Sequence, residues 1–248
     1  MAMSALVIDQ FPTQKISTIK YPASDGKPMA ETEVHVLAIV QLLSALRHFF
    51  RKQNIYVIGN IFLYYRQGNP KAHKAPDVMV VKNVGKHERR SFKVWEEKAM
   101  PCVIFEITSK ETASEDTVSK ATLYASLGVQ EYFLFDPLDE YLDQQLIGYR
   151  LVDGEYVRIT PNEDGEIFST ELQAVLRPEG KFLRVVDPQT ALPVPSLDEA
   201  IEMAEQEAQR AEQEAQRAEQ EAQRADAKEA ENIRLREEIA ELRKQRSQ

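Results

Sequence analysis

The spacing of apolar and polar positions divides the chain into a varied front and a monotonous tail. "AETEVHVLAIVQLLSALRHFF", residues 30–50, is apolar on nearly all sides of a 3.6-residue period, which predicts a largely buried helix. "IYVIGNIFLYYR", residues 55–66, is rich in β-branched and aromatic residues and reads as a strand with an irregularity at Gly59. "PDVMVV" (76–81) and "CVIFEIT" (102–108) are two more strands. "SEDTVSKATLYASLG" (114–128) is helical, with Ser114 as N-cap, acids in the first turn and Gly128 at the stop. "EYFLFDP" returns as a strand. "LIGYRLV" and "EYVRIT" form a hairpin through Asp153-Gly154, and Asp164-Gly165 marks another turn. One layered α/β domain accommodates these elements.

Pro188, Pro193 and Pro195 crowd a segment that resists both helix and sheet, so two regions are expected, 1–190 and 191–248. Beyond the prolines "AEQEAQR" occurs three times from Ala204. From Leu197 to Ala225 apolar residues recur at alternating spacings of four and three, a heptad seam with alanine at almost every a and d position. Past Ala225 the phase slips, and Ile233, Leu235, Ile239 and Leu242 resume a greasier pattern. At 1.5 Å per residue a helix over 197–245 is about 70 Å long. Two readings stand: a coiled coil that makes the protein a homo-oligomer, or a solvated lone helix held by pairs such as Glu207 with Arg210. Alanine knobs bury little area, but Ile201, Ile239 and Leu242 are better anchors near the ends and favour pairing.

Composition narrows the class. In 248 residues, 43% hydrophobic and 29% charged, no apolar run approaches the roughly 20 residues that cross a bilayer. "MAMSALVIDQFPTQK" lacks the basic start and apolar core of a signal peptide. A single cysteine, Cys102, excludes an intramolecular disulfide and a cysteine zinc site. These features lead us to expect a cytoplasmic protein with no membrane partner. The net charge of −9 is uneven, with 15 acids against 9 bases in 197–248. Neither region has the overall basic bias of a strong nucleic-acid binder. The most basic stretch is 78–105, with Lys82, Lys86, Arg89, Arg90, Lys93 and Lys98, preceded by Lys71, His73 and Lys74. It is a candidate phosphate-facing loop, diluted by Glu88, Glu96 and Glu97.

Glu106 interrupts the apolar run Val103–Ile107, where a charge costs several kcal/mol unless something pairs with it. Asp77 opens "PDVMVV". If the two strands are neighbours, both carboxylates converge, and a divalent cation relieves their repulsion; Mg²⁺ takes oxygen ligands and is often held by one or two carboxylates. The residues alone equally allow a solvent-facing Glu106, or one partnered by a buried Lys or Arg, and a turn-capping Asp77.

"APDVMVV", "VIFEITSKET" and "DTVSKATLYASLGVQEYFLFDP" resemble a large bacterial family of restriction-endonuclease-like proteins in the PD-(D/E)XK nuclease superfamily. The likeness runs over roughly residues 20–185, and "YPASDGKPMAETEVH" resembles the family's opening segment. It implies a restriction-endonuclease-like core with a mixed α+β sheet and flanking helices, and an endonuclease hydrolysing phosphodiester bonds in DNA with Mg²⁺ or Mn²⁺. It makes Asp77 and Glu106 metal ligands and gives Lys120 a catalytic role, since the superfamily's strand lysine is replaced here by Thr108. Glu31 or Glu33 would add a carboxylate, His35 would bind or orient substrate, and Asp116, Lys120 and Tyr124 would share one helix face. With so little positive charge, DNA binding is expected to be weak and salt-sensitive. The alternative is a nuclease-like fold with little activity that acts in assembly through its helical tail.

Overall fold

The structure, a computed structural model, describes residues 19–22, 32–109 and 112–245. Two compact units divide between Val194 and Pro195. In the first, helix α1 (Glu33–Phe49) precedes strands β1 (Ile55–Ile58), β2 (Phe62–Tyr64), β3 (His73–Lys74), β4 (Val78–Lys82) and β5 (Ser91–Lys93). A short helix α2 (Val94–Glu97) leads to β6 (Val103–Ile107), a π-helical turn (Glu115–Lys120) and α3 (Ala121–Ser126). Strands β7 (Glu131–Phe135), β8 (Leu146–Val152), β9 (Glu155–Arg158), β10 (Ile167–Ser169), β11 (Ala174–Glu179) and β12 (Phe182–Val186) complete the unit. The second unit is one helix, α4 (Leu197–Gln245). Among the described residues no helix is long and apolar enough to cross a membrane.

The main sheet has six strands in the order β1-β4-β6-β7-β8-β9. Only the β6–β7 pair within it is parallel, and the chain between those two strands supplies the π-turn and α3 as the crossover. Alternation along β4 and β6 sorts side chains onto two faces. Val78, Val80, Val103, Phe105 and Ile107 pack in one cluster with Leu42 and Leu46 of α1 and Leu183 of β12. Met79, Val81 and Ile104 join Tyr124, Tyr132 and Leu134 in the other. Each fully buried side chain of this size contributes about 1.5–3 kcal/mol, so both faces stabilise the sheet.

Three expectations are corrected here. Helix α1 is buried along one stripe only: Val36, Leu37 and Val40 are 43%, 48% and 53% exposed, because the sheet lies on one side of it. The strand expected over 55–66 is broken, β1 pairing with β4 and β2 with β3 and β5 in a separate small sheet. A Cβ on Gly59 would lie 2.2 Å from the Asp77 carbonyl oxygen, and Asn60 turns the chain with φ of 57°. Ser114 is not an N-cap; it is already helical, with φ −69° and ψ −39°, and its side chain makes no cap bond. The hydroxyls of Thr117 and Thr122 bond the carbonyls of Ala113 and Val118, four residues back, a competition that widens or bends a helix. The Asp153-Gly154 hairpin joins β8 and β9 as expected, with both turn residues at positive φ.

Candidate active site

Asp77 and Glu106 meet on one face of the sheet. The antiparallel register pairs Val78 with Phe105 and Met79 with Ile104. Extended by one step it sets Asp77 directly opposite Glu106, where Cβ atoms are about 4.5–5.5 Å apart. Asp77 is tied down by accepting the Ile107 amide at Oδ2, 2.7 Å away. Gly59 permits this, because its bare α-carbon allows β1 to pass against the Asp77 carbonyl.

The crossover supplies the remaining side chains. Tyr124 of α3 donates its hydroxyl to Glu106 Oε1 at 2.9 Å, and Lys120 Nζ lies 3.0 Å from Oε2. Lys120 also stands 2.7 Å from Asp116 Oδ1, a charge contact without hydrogen-bond alignment. The hydroxyl of Tyr132, from β7, donates to the Asp116 carbonyl at 2.9 Å and braces the π-turn. From the opposite face, His35 Nε2 contacts the Ile107 carbonyl oxygen and sits 3.8 Å from Asp77 Oδ2. Five of the side chains named from sequence therefore join one cluster around Glu106: Asp77, His35, Asp116, Lys120 and Tyr124. Glu33 does not; it is exposed on the first turn of α1. Glu31 lies outside the described residues.

Burial first, and then the charge of Asp77, push the Glu106 carboxyl up to about 8. Burial alone would lower Lys120, but the charges of Glu106 and Asp116 outweigh it and hold the ammonium above its ordinary value. Lys120 is thus charged at neutral pH and serves as a fixed cation, not a base. Burial, followed by Glu106, raises Tyr124, which stays a donor. The site holds three acids against one permanent cation, so ionising all three leaves it short of positive charge. Among the described residues no group of three or more His, Cys, Asp or Glu side chains could hold a metal ion. The pair Asp77 and Glu106 is a set of hard oxygen donors, which suits Mg²⁺ or Mn²⁺ better than a softer metal.

The family model described as "Uma2: Putative restriction endonuclease" matches residues 9–177. The chain belongs to this family. The match leaves out α4, and with it the restriction-endonuclease-like family expected from the strand motifs is established. No curated protein matches the Uma2 chain. Among solved structures it resembles "a putative nuclease belonging to DUF820" from Anabaena variabilis ATCC 29413. That likeness has 17% identity and a TM-score of 0.44, over 59% of this chain and 76% of the other.

Thr108, two residues beyond Glu106, is buried at 1% exposure, and its Oγ1 has no partner among the described residues. The basic stretch 78–105 is largely neutralised within the fold: Lys82 pairs with Glu171, Arg89 with Glu97 and Lys93 with Glu96. Lys74 pairs with Glu115. A basic groove of about 640 Å³ does form along β1, the sheet's edge strand. Lys86, His87 and Arg89, the last held by Glu97, line it together with Arg47 and Arg51 of the first helix region and the acid Glu88. Sequence reading missed Arg47 and Arg51, because nothing local distinguishes two arginines at the end of an amphipathic helix.

Proposed function

We propose that this Uma2-family chain is an endonuclease that hydrolyses phosphodiester bonds in DNA, with Asp77 and Glu106 holding Mg²⁺ or Mn²⁺ and Lys120 assisting. The observation that carries the reading is the opposition of Asp77 and Glu106 across β4 and β6, in a cluster whose acids outnumber its permanent cation. When bound, the cation supplies Lewis-acid polarisation of the phosphoryl group and acidifies a water. The chain's own residues do the rest. Lys120 remains protonated and offsets charge that develops on the phosphoryl oxygens. Tyr124 and Lys120 fix both oxygens of Glu106, and the Ile107 amide fixes Asp77, so the carboxylates do not reorganise as substrate arrives.

Support for a nucleic-acid substrate comes from the groove along β1. Its near end, Ile58, pairs with Met79, two residues from Asp77, and its far end carries Lys86 and His87. At about 3.3 Å per residue the strand from Ile55 to Asp77's level spans about 17 Å, enough for several phosphates. With only a handful of cations, affinity should be low and should fall with added salt at a slope set by that small number of contacts.

The test is nicking of supercoiled plasmid by purified protein at low salt, with Mg²⁺, Mn²⁺ or chelator. Cleavage is expected to need the cation and to disappear in Asp77→Ala and Glu106→Gln. Cleavage that persists at wild-type rate in both variants would end the assignment.

A further inference from the structure

Helix α4 is a single uninterrupted helix whose apolar residues Ile201, Leu235 and Ile239 are 48%, 48% and 49% exposed. Its two seams are different in kind. In the repeat, alanines occupy a and d, and the flanking e and g positions are Glu205, Glu207, Glu212, Glu214, Glu219 and Glu221. The repeat's arginines, Arg210, Arg217 and Arg224, fall at c, away from the flanks. Two copies pressed together along this seam set glutamate against glutamate whether they run parallel or antiparallel. The alanine knobs bury too little area to overcome that repulsion.

The last part of α4 has the opposite character. With Leu235 at d and Ile239 at a, Asn232 takes the preceding a position. Its g positions are Glu231 and Glu238, and its e positions are Arg236 and Arg243. In a parallel pair each g residue faces the e residue five positions later on the other helix. Glu231 then meets Arg236 of the second copy, and Glu238 meets Arg243 of the second copy. An antiparallel pair would instead set Glu against Glu and Arg against Arg. A lone Asn at an a position is the device that fixes register in a parallel two-stranded coil. Ala225 at d and Asn232 at a are separated by three residues more than a continuous heptad allows, so the second seam is rotated from the first by less than a quarter-turn and does not continue its register.

We propose that the protein forms a parallel, in-register homodimer zipped by residues 231–243 of α4, and that the glutamate-flanked repeat before it is not part of the contact. The occupant of the apolar stripe at Leu235 and Ile239 is a second copy of the same stripe. The complementary charges at g and e choose this partner, and the acidic repeat discourages a longer or shifted overlap.

The experiment measures the solution mass of the full chain by light scattering. Wild type is expected at twice the chain mass, and Leu235→Glu with Ile239→Glu at the single mass. A chain carrying Glu231→Arg and Glu238→Arg is expected to be monomeric, as is one carrying Arg236→Glu and Arg243→Glu. An equimolar mixture of the two charge variants is expected to regain the dimer mass. Asn232→Cys in a Cys102→Ser background is expected to crosslink on oxidation, because parallel copies bring position 232 to itself. A monomeric wild type would identify α4 as a lone helix and overturn the proposal. A dimer that survives the Leu235 and Ile239 substitutions, or both charge swaps, would place the contact elsewhere and overturn it. A dimer whose position-232 cysteines do not crosslink would be antiparallel, which also overturns it.

Discussion

Glu106 and Glu131 lie on the neighbouring parallel strands β6 and β7, at opposite ends and on opposite faces, and their buried carboxylates are satisfied in different ways. Glu131 pairs with Arg150 across the β7–β8 ladder, 2.9 Å away. It also accepts from the hydroxyls of Ser169 and Thr170 and from the amides of Thr170 and Glu171. That is a carboxylate saturated with donors, and it anchors the small β10–β12 sheet to the main one. Among the described residues Glu106 has Tyr124 and Lys120 as partners, and it shares Lys120 with Asp116 while facing Asp77. One is a structural tie. The other is a cluster of acids with few donors, in which ionising Glu106 is costly.

The raised Glu106 carboxyl makes the stability of the cation-free protein fall with pH. Folded Glu106 titrates near 8, above its ordinary value of 4.5, so between those values the folded state holds a proton that the unfolded state has released. Stability therefore drops as pH rises through that window, by up to about 4–5 kcal/mol at 1.36 kcal/mol per unit. Glu106→Gln removes this slope. Urea unfolding at pH 5 and pH 8.5 should show the variant overtaking wild type at the higher pH, and Mg²⁺ should stabilise wild type more there than at pH 5.

Lys120 is the counter-ion for two buried acids, so Lys120→Met leaves Glu106 and Asp116 without it. Breaking a buried ion pair on one side typically costs about 3–5 kcal/mol. The variant should lose stability by that order well above pH 8, where wild-type Glu106 is ionised beside Lys120, and recover part of it at neutral pH, where Glu106 holds its proton in both proteins. Thermal melts at the two pH values check this, and an equal loss at both would mean that Lys120 acts through packing alone.

Much of this arrangement was legible in the sequence. The strands holding Asp77 and Glu106, the helix carrying Lys120 and Tyr124, and the Asp153-Gly154 hairpin follow from local patterns that tertiary packing did not override. What the pattern could not show was sidedness. Val36, Leu37 and Val40 read as core because periodicity records where apolar residues are, not whether a second layer covers them. The π-turn at Glu115–Lys120 depends on hydroxyl–carbonyl competition that leaves no trace in apolar spacing. Gly59 was read as an irregularity inside one strand, whereas its meaning is the close approach to Asp77.

That approach makes Gly59 a sharp test of the site's geometry. A Cβ there would lie 2.2 Å from the Asp77 carbonyl oxygen and 3.3 Å from its carbon, both backbone atoms that cannot rotate away. Gly59→Ala must push β1 off the start of β4, at a cost of about 1–3 kcal/mol or more for an overpacked site. The displacement falls on the residue beside Glu106. Nicking activity should drop more than the loss of folded protein explains, which a comparison of initial rate with circular dichroism at the assay temperature would reveal. Full activity in a folded Gly59→Ala protein would mean that the position of Asp77 is not critical.

Thr108 offers the opposite kind of substitution. Its amide is held by the Phe135 carbonyl at 2.7 Å, but its buried hydroxyl has no partner among the described residues. A buried polar group without a hydrogen bond costs about 1–3 kcal/mol, and valine has nearly the same shape without that group. Thr108→Val should therefore raise the unfolding free energy by about 1 kcal/mol, read from the urea midpoint at constant slope. If the hydroxyl stands idle two residues beyond Glu106, plasmid nicking should be unchanged in the same variant. A stabilised but inactive Thr108→Val protein would instead assign the hydroxyl to the reaction, binding a water or a phosphoryl oxygen at a position that packing alone leaves unsatisfied.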